Sequence, residues 1–346
     1  MTHTIHAEPL TKLCRDIFAA AGAPADIAAL VAESLVNTNL FGHDSHGALR
    51  VMQYITMIRA GMIQPEQRPQ IRKRFGATAM VRGGNGFGQV GARFAAGLVR
   101  RLGADYGIAA VSLGQTTHIG RLGEYTAHIA AAGLVGIGFT SGSMYSGWVT
   151  PYGGRERLFG TNPMSFAVPC PGDETLLLDF ATAGVAHGKI VLARAKGIPA
   201  PSGMMLDKHG KPTTDAQLLD EGAVLLPMGL HKGSGLAMMM ELIPTLLAGH
   251  RPISAPDFSF GNPTLLLAIS PAAFDNDRDF AEQVAALKAR VKAAQPAAGF
   301  DEVLLPGEPE ARAYAKRSQI GIPLPDAVWA DLRELAAELG VAIPGL

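Results

Sequence analysis

Cysteine is nearly absent from this chain of 346 residues, which carries only Cys14 and Cys170. Two thiols cannot build a disulfide framework or a tetrahedral thiolate metal site. Both read as small apolar residues in a reducing compartment. Charge is scarce as well, at 17% of residues, and it cancels: 30 Lys and Arg stand against 30 Asp and Glu. That balance supplies no basic stripe for nucleic acid, no polybasic membrane patch and no acidic tail. Long hydrophobic runs are missing too. The longest unbroken stretch of apolar residues and glycine, from Ile129 to Phe139, falls well short of the ~20 residues of a membrane-spanning helix. The opening MTHTIHAEPL has neither the basic nor the apolar segment of a secretion signal. The expectation is a cytoplasmic protein with no membrane and no nucleic-acid partner.

What is plentiful is glycine, 41 residues, and proline, 23, scattered as punctuation between short apolar runs. At roughly 150 residues per domain the length suggests about two domains. Residues 8 to 60 read as helices. One opens at Pro24 and Asp26 with Ile27, Leu30, Val31, Leu35 and Leu40 at helical spacing; another runs from near Asp44 to Arg59. From Ile71 to Gly249 apolar runs alternate with Ala-rich helical stretches. Expected strands are Ala79–Val81, Ile108–Leu113, Val135–Phe139, Leu176–Phe180 and Val224–Leu226, with one more at Leu265–Ile269. Expected helices are Ala92–Leu102, Glu124–Ala132, Val185–Ala195, Leu236–Leu247 and Phe280–Ala293, and the chain ends in helices. The pattern predicts a mixed αβ core flanked by helical termini that pack together, making one discontinuous helical domain.

Gly86-Phe-Gly88-Gln-Val-Gly91 matches the dinucleotide fingerprint GxGxxG between a strand and a helix. That fingerprint also needs an acidic residue at the end of the next strand. Here the strand IAAVSLG ends at Gly114 and Gln115, so the motif reads as a tight glycine turn packed on its neighbours. In LFGHDSHGALRVMQYI, His46, Arg50 and Tyr54 are spaced by four and fall on one face of a helix capped by Asp44 or Ser45. Imidazole can exchange a hydroxyl proton near neutral pH, and guanidinium can hold a carboxylate with two parallel bonds. An ordinary amphipathic helix with a surface arginine would show the same spacing. His43 and His46 could share a metal, but Asp44 points off their face, so no metal site is expected. His118 sits where a strand ends and a glycine-rich turn begins, a frequent place for a site residue.

Three segments share the form of apolar strand, small residues, then helix: 159–169, with its turn at Gly160–Pro163, then 176–190 and 223–241. Helix N-termini with small side chains let backbone N–H groups approach phosphate, and lysine adds charge.

Together these motifs resemble the malate/L-lactate dehydrogenase family, in order and spacing, from GHDSHG through HIGRLGEY, FGTNP, LDFATA and HKGSGL to LPGE at 305–308 and GIPLP at 321–325. NLFGHDSHG, FGQV and HIGR are similar to its hydroxycarboxylate dehydrogenase branch. The resemblance implies a homodimer that binds NAD or NADP without a conventional Rossmann unit. It also implies hydride transfer to or from a small 2-hydroxy or 2-keto acid; the alternative is a cyclic ketimine reductase acting on Δ1-pyrroline- or Δ1-piperideine-2-carboxylate. His46 resembles the family's proton donor, and His118 is the rival acid/base. Ser45, Arg50 and Tyr54 resemble substrate contacts. Gly160, Thr161, Asn162, Pro163, Asp179, Phe180, Ala181, Thr182, His231, Lys232, Gly233, Pro306, Gly307 and Glu308 resemble cofactor-proximal positions. The implied parts are helical at 1–72, substrate-side αβ at 73–115, cofactor-binding at 116–250, substrate-side again at 251–299, and helical at 300–346. Ala183 stands where many members have serine, Ser234 stands where many have tyrosine, and 141–152 diverges, which leaves the substrate open.

Overall fold

The computed structural model describes residues 2–142, 147–170, 175–253, 255, 258, 260–274 and 279–343. Strand β1 (Thr2–Ile5) leads into helices α1 (Ala7–Ala20), α2 (Ala25–Leu40) and α3 (Arg50–Arg59). Leu10, Leu13, Ile17 and Phe18 of α1 recur at helical spacing and are buried, as are Ile27, Val31 and Leu35 of α2. There follow β2 (Gln70–Phe75), β3 (Thr78–Arg82), α4 (Gly88–Tyr106), β4 (Ile108–Gly114), α5 (Gly123–Ala130) and β5 (Val135–Thr140). Then come β6 (Pro163–Val168), β7 (Leu176–Ala181), α6 (His187–Lys196), β8 (Met205–Leu206), β9 (Pro212–Thr213) and β10 (Val224–Leu225). The chain closes with α7 (His231–Leu247), β11 (Thr264–Ile269), α8 (Phe280–Lys292), α9 (Glu308–Ile320), β12 (Ile322–Pro325) and α10 (Asp326–Glu338).

The two ends of the chain fold together. β1 pairs antiparallel with β12, Ile5 opposite Ile322, and one core joins Leu13, Phe18 and Leu35 to Leu324, Trp329, Leu332 and Leu335. Each such side chain stabilises by roughly 1.5–3 kcal/mol when removed from water, which is why apolar stripes from opposite termini meet.

The central sheet runs β2-β3-β4-β11-β5-β6-β7, and among its described pairs only β3–β4 is parallel. A doubly wound dinucleotide fold is built on mostly parallel strands. This is instead a mixed αβ core. Helices α4 and α5 pack on the sheet through Val81, Leu98, Val111, Leu122 and Leu266, and α7 packs across β4, β11, β5 and β6. A smaller core of Val149, Phe159, Val185, Ile190, Met205 and Leu225 ties α6 to the β10-β8-β9 sheet.

Two local expectations are corrected. Helix α3 starts at Arg50, not near Asp44; Asp44–His46 form a separate 3₁₀ turn. Gly47, at ψ −147°, breaks the helix, and it packs so close to Asn39 that any side chain there would overlap the amide. Asn39 Oδ1 accepts from Ala48 N at 2.7 Å. Asp44 therefore caps nothing; Arg317 donates to both its oxygens, at 2.6 and 3.0 Å. The second correction is at Gly160–Pro163, which open β6, not a helix. Pro163 lies opposite Ala181, and β5 and β7 flank the strand on both sides and satisfy its backbone.

Candidate active site

The glycine motif between β3 and α4 holds the segment that follows β4. Gly88 N donates to Thr117 Oγ1 at 3.1 Å, Thr117 Oγ1 donates to Gly86 O at 2.9 Å, and a methyl on Gly88 would collide with the His118 carbonyl. The tight turn thus seats the backbone of His118. Its ring reaches Tyr54 of α3, with Nδ1 2.6 Å from Oη, and Gln89 Nε2 donates to the same oxygen at 2.7 Å.

The 3₁₀ turn delivers His46 from the other side. Its ring stacks on His118 with centroids 5.4 Å apart and planes at 24°, and its Nδ1 lies 2.9 Å from Ser45 Oγ. Arg50 Nε donates to the Ser45 carbonyl at 2.7 Å and Nη1 to Gln53 Oε1 at 2.6 Å. Of the five guanidinium hydrogens those bonds use two, leaving Nη2 and one Nη1 hydrogen uncommitted by them. Ser45, His46, Arg50, Tyr54 and His118 therefore converge, although His46 arrives on a turn and not in a helical file with Arg50 and Tyr54.

Burial, then the charge of Arg50, pushes His46 down to about 3, with His43 and Arg121 adding to the effect. Burial, Arg50 and His46 lower His118 well below the usual histidine range. Both imidazoles are neutral near pH 7. Burial raises the Tyr54 phenol, which keeps its proton.

A second group of predicted residues joins through the backbone. Thr161 O accepts from Thr182 N at 2.9 Å and Oγ1 at 3.1 Å, Asn162 O accepts from Thr182 Oγ1 at 3.0 Å, and Thr182 O accepts from Met228 N at 2.9 Å. The buried Glu241 anchors this patch, accepting from Asn162 Nδ2 at 3.2 Å and Ser141 Oγ at 2.8 Å. Gly160, Thr161, Asn162, Pro163, Ala181 and Thr182 so form one surface with the start of α7, where His231 and Lys232 are exposed and Gly233 is buried. A cavity of about 520 Å³ opens beside it between Tyr152, Gly184, Met204, Leu226, Met228 and Leu230. The surface reaches the histidines through α6: a Cβ on Gly188 would sit 2.6 Å from Ser45 Cβ. Of the divergent stretch 141–152, residues 143–146 lie outside the described residues.

Asp179 Oδ2 accepts from Gly123 N at 2.8 Å; burial raises its carboxyl, and Arg121 pulls it back down. Phe180, next on β7, is half-buried. Pro306 and Gly307 dock on β7 at Leu177, whose N donates to Pro306 O at 3.3 Å. That is four residues from Ala181, about 13 Å along a strand. Glu308 is occupied by its own loop, bound by Lys292 Nζ at 2.9 and 3.0 Å, by Leu305 N at 2.9 Å and by Arg312.

Two residues of the site carried no individual expectation. Gln89 lies inside the motif read as a glycine turn. Arg121, three residues after His118, is 6% exposed, with its guanidinium 4.4 Å above the Phe41 ring. Its Nε and Nη1 have no hydrogen-bond partner among the described residues. Among the described residues no three His, Cys, Asp or Glu come together as a metal set, and no helix is long and apolar enough to cross a membrane.

Neutral imidazoles, a phenol and a guanidinium at one end of a backbone-lined surface suit proton exchange on a small acid bound beside a larger cosubstrate. The comparisons with known proteins give the class a family. Residues 5–333 match the model of the malate/L-lactate dehydrogenase family, and the chain belongs to that family, as an oxidoreductase. It is 35% identical over 347 residues to hydroxycarboxylate dehydrogenase B of Escherichia coli (strain K12), covering 98% of this chain and 95% of that one. It is 36% identical over 342 residues to L-lactate dehydrogenase of Cupriavidus necator, covering 96% and 97%. The structure of sulfolactate dehydrogenase from Methanocaldococcus jannaschii superposes with a TM-score of 0.88 at 33% identity, covering 99% of this chain and 98% of that one.

Proposed function

We propose that this protein moves hydride between NAD or NADP and C2 of a small 2-hydroxy or 2-keto acid. The observation that carries this reading is the convergence of half-buried Arg50, His46 and His118 with buried Tyr54 on one pocket. The uncommitted edge of Arg50 takes the substrate carboxylate in a plane, which orients C2. His118, anchored by Tyr54, exchanges the proton of the C2 oxygen, and His46 lines the pocket beside it.

The residues present fit a nicotinamide cofactor. The surface from Gly160–Pro163 through Thr182 to His231 and Lys232 offers backbone and a free ammonium for phosphates. Buried Arg121, whose Nε and Nη1 have no hydrogen-bond partner among the described residues, supplies a cation near His46 and Asp179, whose titration its charge lowers along with that of Glu310. Asp179 and Phe180 of β7, and Pro306, Gly307 and Glu308 at its far end, would border the same ligand. A bound nicotinamide supplies or accepts the hydride.

The protein acts as a homodimer in the cytoplasm. Helix α7 leaves Met238, Met239, Ile243, Leu246 and Leu247 exposed, an apolar patch that a second copy would cover.

The test is a panel of 2-keto acids and Δ1-pyrroline-2-carboxylate with NADH and NADPH, following cofactor oxidation. Turnover of keto acids is expected. Turnover of the cyclic imine alone would shift the assignment to a ketimine reductase, and light scattering giving a monomer would remove the dimer.

A further inference from the structure

Gln89 belongs to a motif that packs glycine against backbone, yet its side chain enters the histidine pocket. It lies in the first turn of α4 and is 1% exposed. Nε2 donates to Tyr54 Oη at 2.7 Å, whereas Oε1 has no partner among the described residues. That asymmetry sets the amide. Turned over, it would put an NH₂ group where Oε1 finds nothing, stranding donors in place of one carbonyl, and orphaned buried N–H groups are the rarer defect.

With Gln89 donating, Tyr54 Oη is an acceptor on that side. Its single hydrogen goes to the other neighbour, His118 Nδ1, 2.6 Å away. Tyr54 is wholly buried and its phenol stays protonated. A hydroxyl hydrogen aimed at Nδ1 requires that nitrogen to be bare. A neutral imidazole then carries its hydrogen on Nε2, on the side of the ring away from Tyr54.

We infer that Gln89 is a positioning residue: acting through Tyr54, it fixes His118 as the Nε2–H tautomer, so that the ring meets the substrate oxygen as a hydrogen-bond donor. A neutral imidazole N–H polarises a carbonyl without carrying charge. It cannot accept a hydroxyl proton until the chain from Gln89 to Tyr54 to His118 reverses. The resting pocket is therefore set for the keto form of the substrate. The tautomer stands on the hydrogen-bond chain alone; its use in catalysis rests on the keto-acid reading above.

Protein labelled with ¹⁵N-histidine reports the tautomer by long-range ¹H–¹⁵N NMR at neutral pH, with His118 identified by the signals lost in His118→Gln. Wild type is expected to show a bare Nδ1 and a protonated Nε2. Gln89→Leu removes the amide donor and its stranded carbonyl together. The phenol is then free to turn, and both tautomers should appear; Tyr54→Phe should give the same mixture. On a keto acid, Gln89→Leu should lower kcat/KM roughly tenfold or more, the scale of loss when a histidine's tautomer is no longer held, with cofactor Kd unchanged. Hydrogen on Nδ1 in wild type overturns the inference, as does a Gln89→Leu protein that keeps the pure Nε2–H form. If Gln89→Leu does not fold, wild type and Tyr54→Phe decide, and a pure Nε2–H form in Tyr54→Phe overturns it. Inactivity on every acid would count against the keto-acid reading and leave the tautomer result standing.

Discussion

The histidine pocket and the surface at the start of α7 are built on opposite plans. In the pocket, side chains from α3, α4 and the segment after β4 bond to one another in a chain that is buried at Gln89 and Tyr54 and half-buried at His118. At α7 the connections run through backbone carbonyls of Thr161, Asn162 and Thr182, while Lys232, Leu230 and Met238 remain exposed. A group that must hold one protonation state needs every polar neighbour assigned, because an unmatched partner in low dielectric is costly. A surface that receives a large ligand or a second subunit needs open backbone and apolar area. Gly188 against Ser45 is where the two plans meet.

The comparison breaks first at His118. If the pocket alone does proton chemistry, His118→Gln should lower kcat by ~10²–10⁴-fold, the usual contribution of a general acid–base group, with cofactor affinity nearly intact. Should His46→Gln carry that loss while His118→Gln turns over normally, the roles of the two histidines are exchanged.

Arg50→Met should cost on the order of 2–5 kcal/mol in kcat/KM, the range for truncating one partner of a buried charge pair. Arg50→Lys should recover only part, because an ammonium cannot reproduce the planar fork. Part of the loss in both variants is expected as reduced stability, since Arg50 also binds the Ser45 carbonyl and Gln53. Melting curves measured beside kcat/KM separate the two. Equal kcat/KM in wild type and the Met variant would take Arg50 out of the site.

Gly88→Ala sharpens the line between the regions. Its methyl would collide with the His118 carbonyl, and overpacking of this kind typically costs ~1–3 kcal/mol. The change should lower Tm and kcat yet leave cofactor Kd within about tenfold, or 1.4 kcal/mol. A larger rise in Kd in a folded variant would return the cofactor phosphates to the glycine motif.

The smallest effect expected is on stability against pH. His46 is lowered to about 3 and His118 also lies below its ordinary value, so both are neutral in the folded protein where the unfolded chain would protonate them. In that window the unfolded state binds more protons, so their contribution is fully present above about pH 6.5 and is lost as pH falls. For His46 the slope is at most about 1.4 kcal/mol per pH unit. Wild type should therefore lose more Tm between pH 7 and pH 5 than His46→Gln does. Equal losses would mean that the ring is solvated.

Much of the frame was legible in the residues. The apolar stripes of α1 and α2, the strands around Ile108 and Val135, and the tight packing of the Gly86–Gly91 turn all follow from periodicity and glycine spacing. β2 was not legible, because all six residues of QIRKRF are exposed and show no alternation. The 3₁₀ turn at Asp44–His46 was missed because spacing by four suggests one helix, and only the Asn39 side chain packed against Gly47 excludes it.

The sequence by itself determined which groups could do chemistry, a pair of histidines, a tyrosine and an arginine, and the order of motifs that marks the family. It could not say that Gln89 and His118, 35 and 64 positions from Tyr54, share one hydroxyl. Nor could it show that Glu308 closes its own loop, or that Arg121 is buried with two nitrogens unmatched among the described residues. Residue type and spacing act locally and survive in the sequence. Burial and the direction of a hydrogen bond depend on whatever the fold brings alongside, so they exist only once the chain has closed on itself.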